Sequence, residues 1–241
     1  MPAREPLMPE SYFRDRLDRL EQTIAGRLEK LRTQPELYSK PWIFHRANAR
    51  ERLQMVLLAY SAGDGLDAIA ARLPTAVDAL EVYLRSAPQE PVDFNDLDDY
   101  VSALWFVSLA TLLCSPEGLV GRLLALLGNE GKDVLFERLA AGLVPGRRAA
   151  ASLMHAKIFA PLAHVFEVPA ADRAAQIGRY LAGWYRGLSA AYWHDAHKGP
   201  GGGGFFGYWS VEAAAVCKAA GVDPSPLATT KYFPSDLLRS L

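Results

Sequence analysis

Phe13, Leu17, Leu20, Ile24, Leu28 and Leu31 recur every third or fourth position with Arg, Asp and Glu between them. That spacing stacks the apolar side chains on one face of a long helix, which should close before Pro35. The pattern persists along the chain. Leu53, Val56, Leu57 and Tyr60 predict a second helix that stops at SAGDG, and Leu66, Ile69, Leu73, Val77, Leu80 and Leu84 predict another, capped by Asp64 and kinked or divided by Pro74. Asp93 and Asp96 open a helix in which Leu97, Val101, Leu104, Trp105, Ser108 and Leu112 face one way while Phe106, Val107, Leu109 and Leu113 fill the other sides. A helix apolar all round belongs in the middle of a bundle.

Further helices are expected from Ser115-Pro116 to Gly128, from Lys132 to Ala141, and from Ala149 to Phe166, the last bent or shortened by Pro161. A stripe of Ile177, Tyr180, Leu181, Trp184 and Leu188 follows Pro169, and a short final helix should begin near Pro234. β-type alternation never exceeds a few residues, and no fixed-period repeat is visible. The expected fold is therefore all-α, a single multi-helix bundle. GNEG at 128–131 divides it into an N-terminal helical half, residues 10–128, and a C-terminal half, residues 132–241. So short a linker forbids independent motion, which leads us to expect two halves sharing one core, with the helix from Asp96 as the common wall.

Composition narrows the function. Half of the 241 residues are hydrophobic, and 26 Lys plus Arg oppose 27 Asp plus Glu for a net charge of −1. No general field would hold such a chain on nucleic acid or an anionic membrane, so any electrostatic role must come from a local patch. Cys114 and Cys217 lack the paired spacing of a zinc site or disulfide framework and read as small core residues. The first residues lack the apolar stretch of a secretory signal, and the longest apolar run, 101–114, is too short to span a bilayer, so the expected location is the cytoplasm.

The segment WHDAHKGPGGGGFFGYWSVEAAAV, residues 193–216, concentrates the candidate chemistry. His194, Asp195 and His197 offer three possible metal ligands, with Glu212 as a fourth. Yet helical zinc pairs set their histidines four apart around a glutamate, and this run passes straight into Gly199 and Pro200. His194-Asp195 is similar to the dyad of HD-type metal phosphohydrolases, for which His155 and His164 lie upstream, but the dyad here falls at a helix end. GPGGGG lacks the Lys-Ser/Thr of a phosphate loop and reads as a flexible surface loop. Glu212 sits in an alanine-rich helix and needs an internal partner: an Arg, a Tyr hydroxyl or a Trp indole N–H. No metal and no cofactor are expected.

QEPVDFNDLDDY, residues 89–100, carries Glu90, Asp93, Asp96, Asp98 and Asp99 without one basic residue. One cap and one first-turn acid would suffice to start a helix. The surplus forms an anionic patch suited to a basic partner, or to imitating the phosphates that such a partner binds.

The tail resembles the C-terminal signature of the PoNi family in His197-Lys198-Gly199, in Phe206-Gly207-Tyr208-Trp209-Ser210-Val211-Glu212 with the Ala-Ala-Ala-Val that follows, in Gly221-Val222-Asp223, and in Tyr232-Phe233-Pro234-Ser235-Asp236-Leu237. Ala59-Tyr60-Ser61-Ala62-Gly63 and the acidic residue after it resemble the family's N-terminal half, so the likeness runs nearly end to end. GPGGGG and Pro224-Ser225-Pro226 depart from the pattern. The resemblance implies an all-α cytoplasmic immunity protein of polymorphic or type VI secretion systems. Such a protein binds a cognate PoNe-type DNase toxin, blocks it without catalysis, and touches neither nucleic acid nor membrane. It also implies structural roles: His197 within the signature, Gly207 for close approach, Tyr208 and Trp209 for packing, Glu212 for an internal hydrogen bond, and Tyr232 and Pro234 to seat the last helix. Of the acids, Asp93, Asp96, Asp98 and Asp99, with Glu90 behind them, are the expected toxin-binding surface.

Overall fold

The computed structural model describes residues 2–87 and 92–238, which leaves Glu90 outside the described residues. All regular structure among these residues is helical: α1 (Glu10–Thr33), α2 (Pro41–Ser61), α3 (Leu66–Ala70), α4 (Leu73–Ser86), α5 (Leu97–Leu112), α6 (Glu117–Leu127), α7 (Val134–Leu143), α8 (Ala156–Ala163), α9 (Ala170–Gly187) and α10 (Val211–Ala219). Two compact units emerge, Met1–Pro91 with His197–Gly207, and Val92–Ala196 with Tyr208–Leu241. In sequence α5 and α6 precede the GNEG break; in space they group with the helices that follow it.

The first unit is organised on α2. Its C-terminal stretch, from Leu53 to Ser61, is buried at every position, so neighbours must cover all of its sides. α1 lays Phe13, Leu17, Leu20 and Ile24 against it, and α4 adds Leu73, Ala76, Val77 and Leu80. The α1 stripe outruns the core, leaving Leu28 44% exposed. Pro74 divides the third predicted helix outright, standing in the first turn of α4 after α3 has ended at Ala70. Asp64 does not cap α3. Gly65 holds that position, while the Asp64 carboxylate pairs with Arg14.

The glycine tract is not a free loop. Tyr12 on α1 donates its hydroxyl to the carbonyls of Gly202 (3.1 Å) and Phe205 (2.8 Å), and Arg16 donates to Gly203 O at 3.1 Å. Gly202 adopts φ +82°, and a Cβ there would come within 2.6 Å of the Tyr12 ring, so no other residue fits. Ser61 then donates to Phe206 O at 2.7 Å, and Phe205 packs 6.1 Å from Phe13.

The second unit is organised on α5, which buries eleven of its sixteen residues. α10 is its main neighbour, and the small side chains of Ala213, Ala214 and Ala215 permit close helix approach. The helix expected from Ala149 begins only at Ala156. Before it, Gly146 takes φ +83° and Ser152 O accepts from Val134 N at 2.8 Å, so this backbone bonds outward rather than to itself. The chain near Pro234 makes a single 3-10 turn, Ser235–Leu238, in place of a helix. Cys217 is buried as expected; Cys114, just past α5 with φ +48°, is exposed instead. Among the described residues no helix is long and apolar enough to cross a membrane.

Candidate functional site

The acidic stretch forms the entry to α5. Asp96 is the cap, accepting from Asp99 N at 2.9 Å across the first turn. Asp93 folds the preceding turn by accepting from both the backbone N and the side-chain amide of Asn95 at 2.9 Å, and its backbone N lies 3.5 Å from Asp99 Oδ2. Asp98 Oδ1 accepts from Tyr192 N at 3.1 Å. Each of the four acids thus has a structural bond, three of them within the turn and one to Tyr192, which revises the idea of surplus. Charge nevertheless remains outside, because Asp93 and Asp96 are exposed and hydrogen bonding leaves a carboxylate anionic. The Asn95 hydrogen bonds, and more weakly Lys132, hold the Asp93 carboxyl below its ordinary value.

The histidines do not converge. His194 and Asp195 belong to the second unit and His197 to the first. His194 stacks 4.2 Å from the Tyr185 ring, its Nδ1 3.8 Å from Asp195 Oδ2, and Asp195 Oδ1 accepts from the Tyr185 hydroxyl at 2.7 Å. His197 packs against Phe205. His155 contacts Phe94 O at 2.9 Å and His164 pairs with Glu167 at 2.8 Å. Among the described residues no three His, Cys, Asp or Glu side chains gather as metal ligands would.

Glu212 is 1% exposed in the core of the second unit. Its Oε1 accepts three bonds: from Tyr180 Oη at 2.8 Å, Trp184 Nε1 at 2.5 Å and Ser210 Oγ at 2.7 Å. Burial pushes its pKa up, and these three donors oppose the rise. Around it the signature residues supply structure. Tyr232, at φ +70°, accepts from Ser210 N through its carbonyl at 2.8 Å and stacks on Tyr185 at 5.6 Å. Tyr208 packs edge-on to Tyr185 at 4.8 Å, whereas Trp209 is half-buried. Gly207 adopts φ +102°, a conformation open to glycine. Buried Pro234 accepts from Leu237 N at 3.1 Å.

A second buried acid escaped the sequence pattern. Asp133, fully buried, caps α7 by accepting from Phe136 N at 2.7 Å, and also accepts from Tyr100 Oη at 3.1 Å and Met154 N at 2.7 Å. Burial raises its pKa as well. Only its place before the apolar run of α7 could have marked it as a cap, and nothing local announces Tyr100 or Met154. Glu137 and Arg147 form a buried ion pair at 2.8 Å that was equally silent.

This division of labour, acids that hold the core and acids that face water, meets the comparisons with known proteins. Residues 4–125 match the family model described as PoNe immunity protein (PoNi), N-terminal, and residues 131–237 match PoNe immunity proteins (PoNi), C-terminal. The chain belongs to the PoNi family. The crystal structure of protein PA2201 from Pseudomonas aeruginosa is similar in fold, with a TM-score of 0.76 at 18% identity, covering 98% of this chain and 89% of that one. No curated protein matches the chain. In PoNi terms, the signature segment 206–216 supplies α10 and its buried glutamate, and the N-terminal match spans α1 to the greater part of α6.

Proposed function

We propose that this PoNi family member is a cytoplasmic immunity protein that binds a cognate PoNe-type DNase toxin of a polymorphic or type VI secretion system and neutralises it stoichiometrically, without turnover. The observation that carries this is the pair of family matches, which together span residues 4–237 with only 126–130 between them. The toxin surface we assign is Asp93, Asp96, Asp98 and Asp99, with Glu90 in the same acidic stretch. A nuclease must expose Lys and Arg where DNA phosphates pass, and carboxylates ordered by Asn95, Tyr192 and one another meet such a groove without losing their charge. Preordering also limits the side-chain entropy lost on association.

Co-expression with the product of the neighbouring open reading frame tests the function. Restored growth and co-purification of the two chains are expected; a toxic neighbour that this protein neither binds nor relieves would refute it.

A further inference from the structure

Residues 92–96, which lead into α5, alternate inward and outward. Val92 and Phe94 are buried, the Phe94 ring lying edge-on to Tyr100 (5.4 Å) and Phe136 (5.1 Å), whereas Asp93, Asn95 and Asp96 are exposed. The two inward residues also have their carbonyls taken by distant side chains. Asn129 Nδ2, just past α6, donates to Val92 O at 2.8 Å. His155 Nε2, just before α8, lies 2.9 Å from Phe94 O, and since a carbonyl only accepts, this nitrogen carries the proton. Both donors stand on left-handed backbone, Asn129 at φ +59° and His155 at φ +47°. Glycine takes that conformation at less cost, as Gly128 and Gly131 do on either side of Asn129. What glycine lacks is a side chain that reaches the turn.

The bonds made by the acids themselves do a different job. Asp93 to Asn95 and Asp96 to Asp99 are internal to the stretch, so they set the shape of the turn without fixing its place on the unit. Asn129 and His155 supply the fixing from outside, and they hold the inner edge of the same five residues whose outer edge carries the charge. Strained backbone persists where the surroundings enforce it, and it concentrates where geometry serves recognition. A basic groove rewards such an arrangement, because carboxylates already held in place pair with Lys and Arg without a further loss of freedom.

We propose that Asn129 and His155 are positioning residues of the toxin surface, gripping Val92 O and Phe94 O so that Asp93 and Asp96 stand at fixed points before the toxin arrives. The proposal rests on the toxin-binding function above and deepens it, since both residues act through the backbone of the turn and not through charge. Two measurements on the full-length protein test it: hydrogen exchange at the Asn95 and Asp99 amides, and isothermal titration with the neighbouring toxin. The variants are Asn129→Gly, which relaxes its own backbone as it removes the amide, His155→Leu, and His155→Gln, whose amide offers a donor at comparable reach. Asn129→Gly and His155→Leu should each speed exchange at those amides about tenfold and weaken toxin affinity about tenfold. The salt dependence of binding should stay as in the wild type, because every acid remains. His155→Gln should bind like the wild type. A merely structural role would lower the melting temperature and leave the affinity of the folded protein unchanged. Wild-type exchange at Asn95 and Asp99 would overturn the grip, and faster exchange with wild-type affinity would overturn its part in recognition, while the immunity function stood in both cases. His155→Gln losing as much affinity as His155→Leu would overturn the role of the hydrogen bond to Phe94. If the wild type itself failed to bind, the immunity function and the positioning role would fall together.

Discussion

Two groups of carboxylates in one unit have opposite physics. Glu212 and Asp133 lie in the core, collect three bonds each from fixed donors, and have their pKa values raised by burial. Asp93 and Asp96 sit at the surface, organise a turn and a helix start, and keep water on one side. The core acids specify how α7, α9 and α10 seat around α5, so removing one leaves donors stranded where water cannot reach. The surface acids do a job that Asn can also do, since an amide oxygen caps a helix as well as a carboxylate. Their charge is the property that folding does not need, and a binding partner is where it can matter.

The strongest challenge to this contrast is Glu212→Ala. It strands Tyr180 Oη, Trp184 Nε1 and Ser210 Oγ together, and should cost about 3–5 kcal/mol in urea denaturation. A loss under about 1 kcal/mol would mean that the three donors find other partners easily. Asp133→Ala removes the α7 cap and the acceptor of Tyr100, for about 2–4 kcal/mol by the same measurement.

A gentler substitution separates charge from hydrogen bonding. Glu212→Gln keeps an acceptor for the three donors and removes the titration. A carboxyl whose pKa is raised by folding holds its proton in the native state at pH values where the unfolded chain has already lost it. Stability therefore falls as pH climbs from the ordinary carboxylate range toward the raised value. The wild type should show that decline, Glu212→Gln less of it, and Glu212→Gln with Asp133→Asn least, as followed by thermal melts across pH. The smallest effect on folding belongs to the surface set. Changing Asp93, Asp96, Asp98 and Asp99 together to Asn should move stability by roughly 1 kcal/mol at most. The same variant should associate with the toxin about tenfold more slowly and with a flatter salt dependence, as stopped-flow mixing would read.

Much of this was legible in the chain. The α1 stripe, the division at Pro74 and the all-round apolarity of α5 are statements about 3.6-residue periodicity and proline geometry, which local sequence expresses directly. A Tyr and a Trp were among the partner types expected for Glu212, because a carboxylate in an alanine helix has few ways to be satisfied. Nonlocal bonds were hidden. GPGGGG suggests mobility until Tyr12, about 190 positions earlier, binds two of its carbonyls. Asp64 has the sequence position of a cap, yet Arg14 claims it. The stretch from Ala149 has helical composition, but Val134 takes Ser152 O and the helix waits until Ala156. In each case a distant partner outcompeted the local preference, and composition carries no trace of which partner that is.

The central claim, that this chain disarms a nuclease by occupying it, is tested most directly by titrating the DNase activity of the neighbouring toxin with the purified protein. Activity should fall linearly to background at an equimolar ratio, with the protein recovered unaltered. Full DNA cleavage in the presence of excess protein would contradict it.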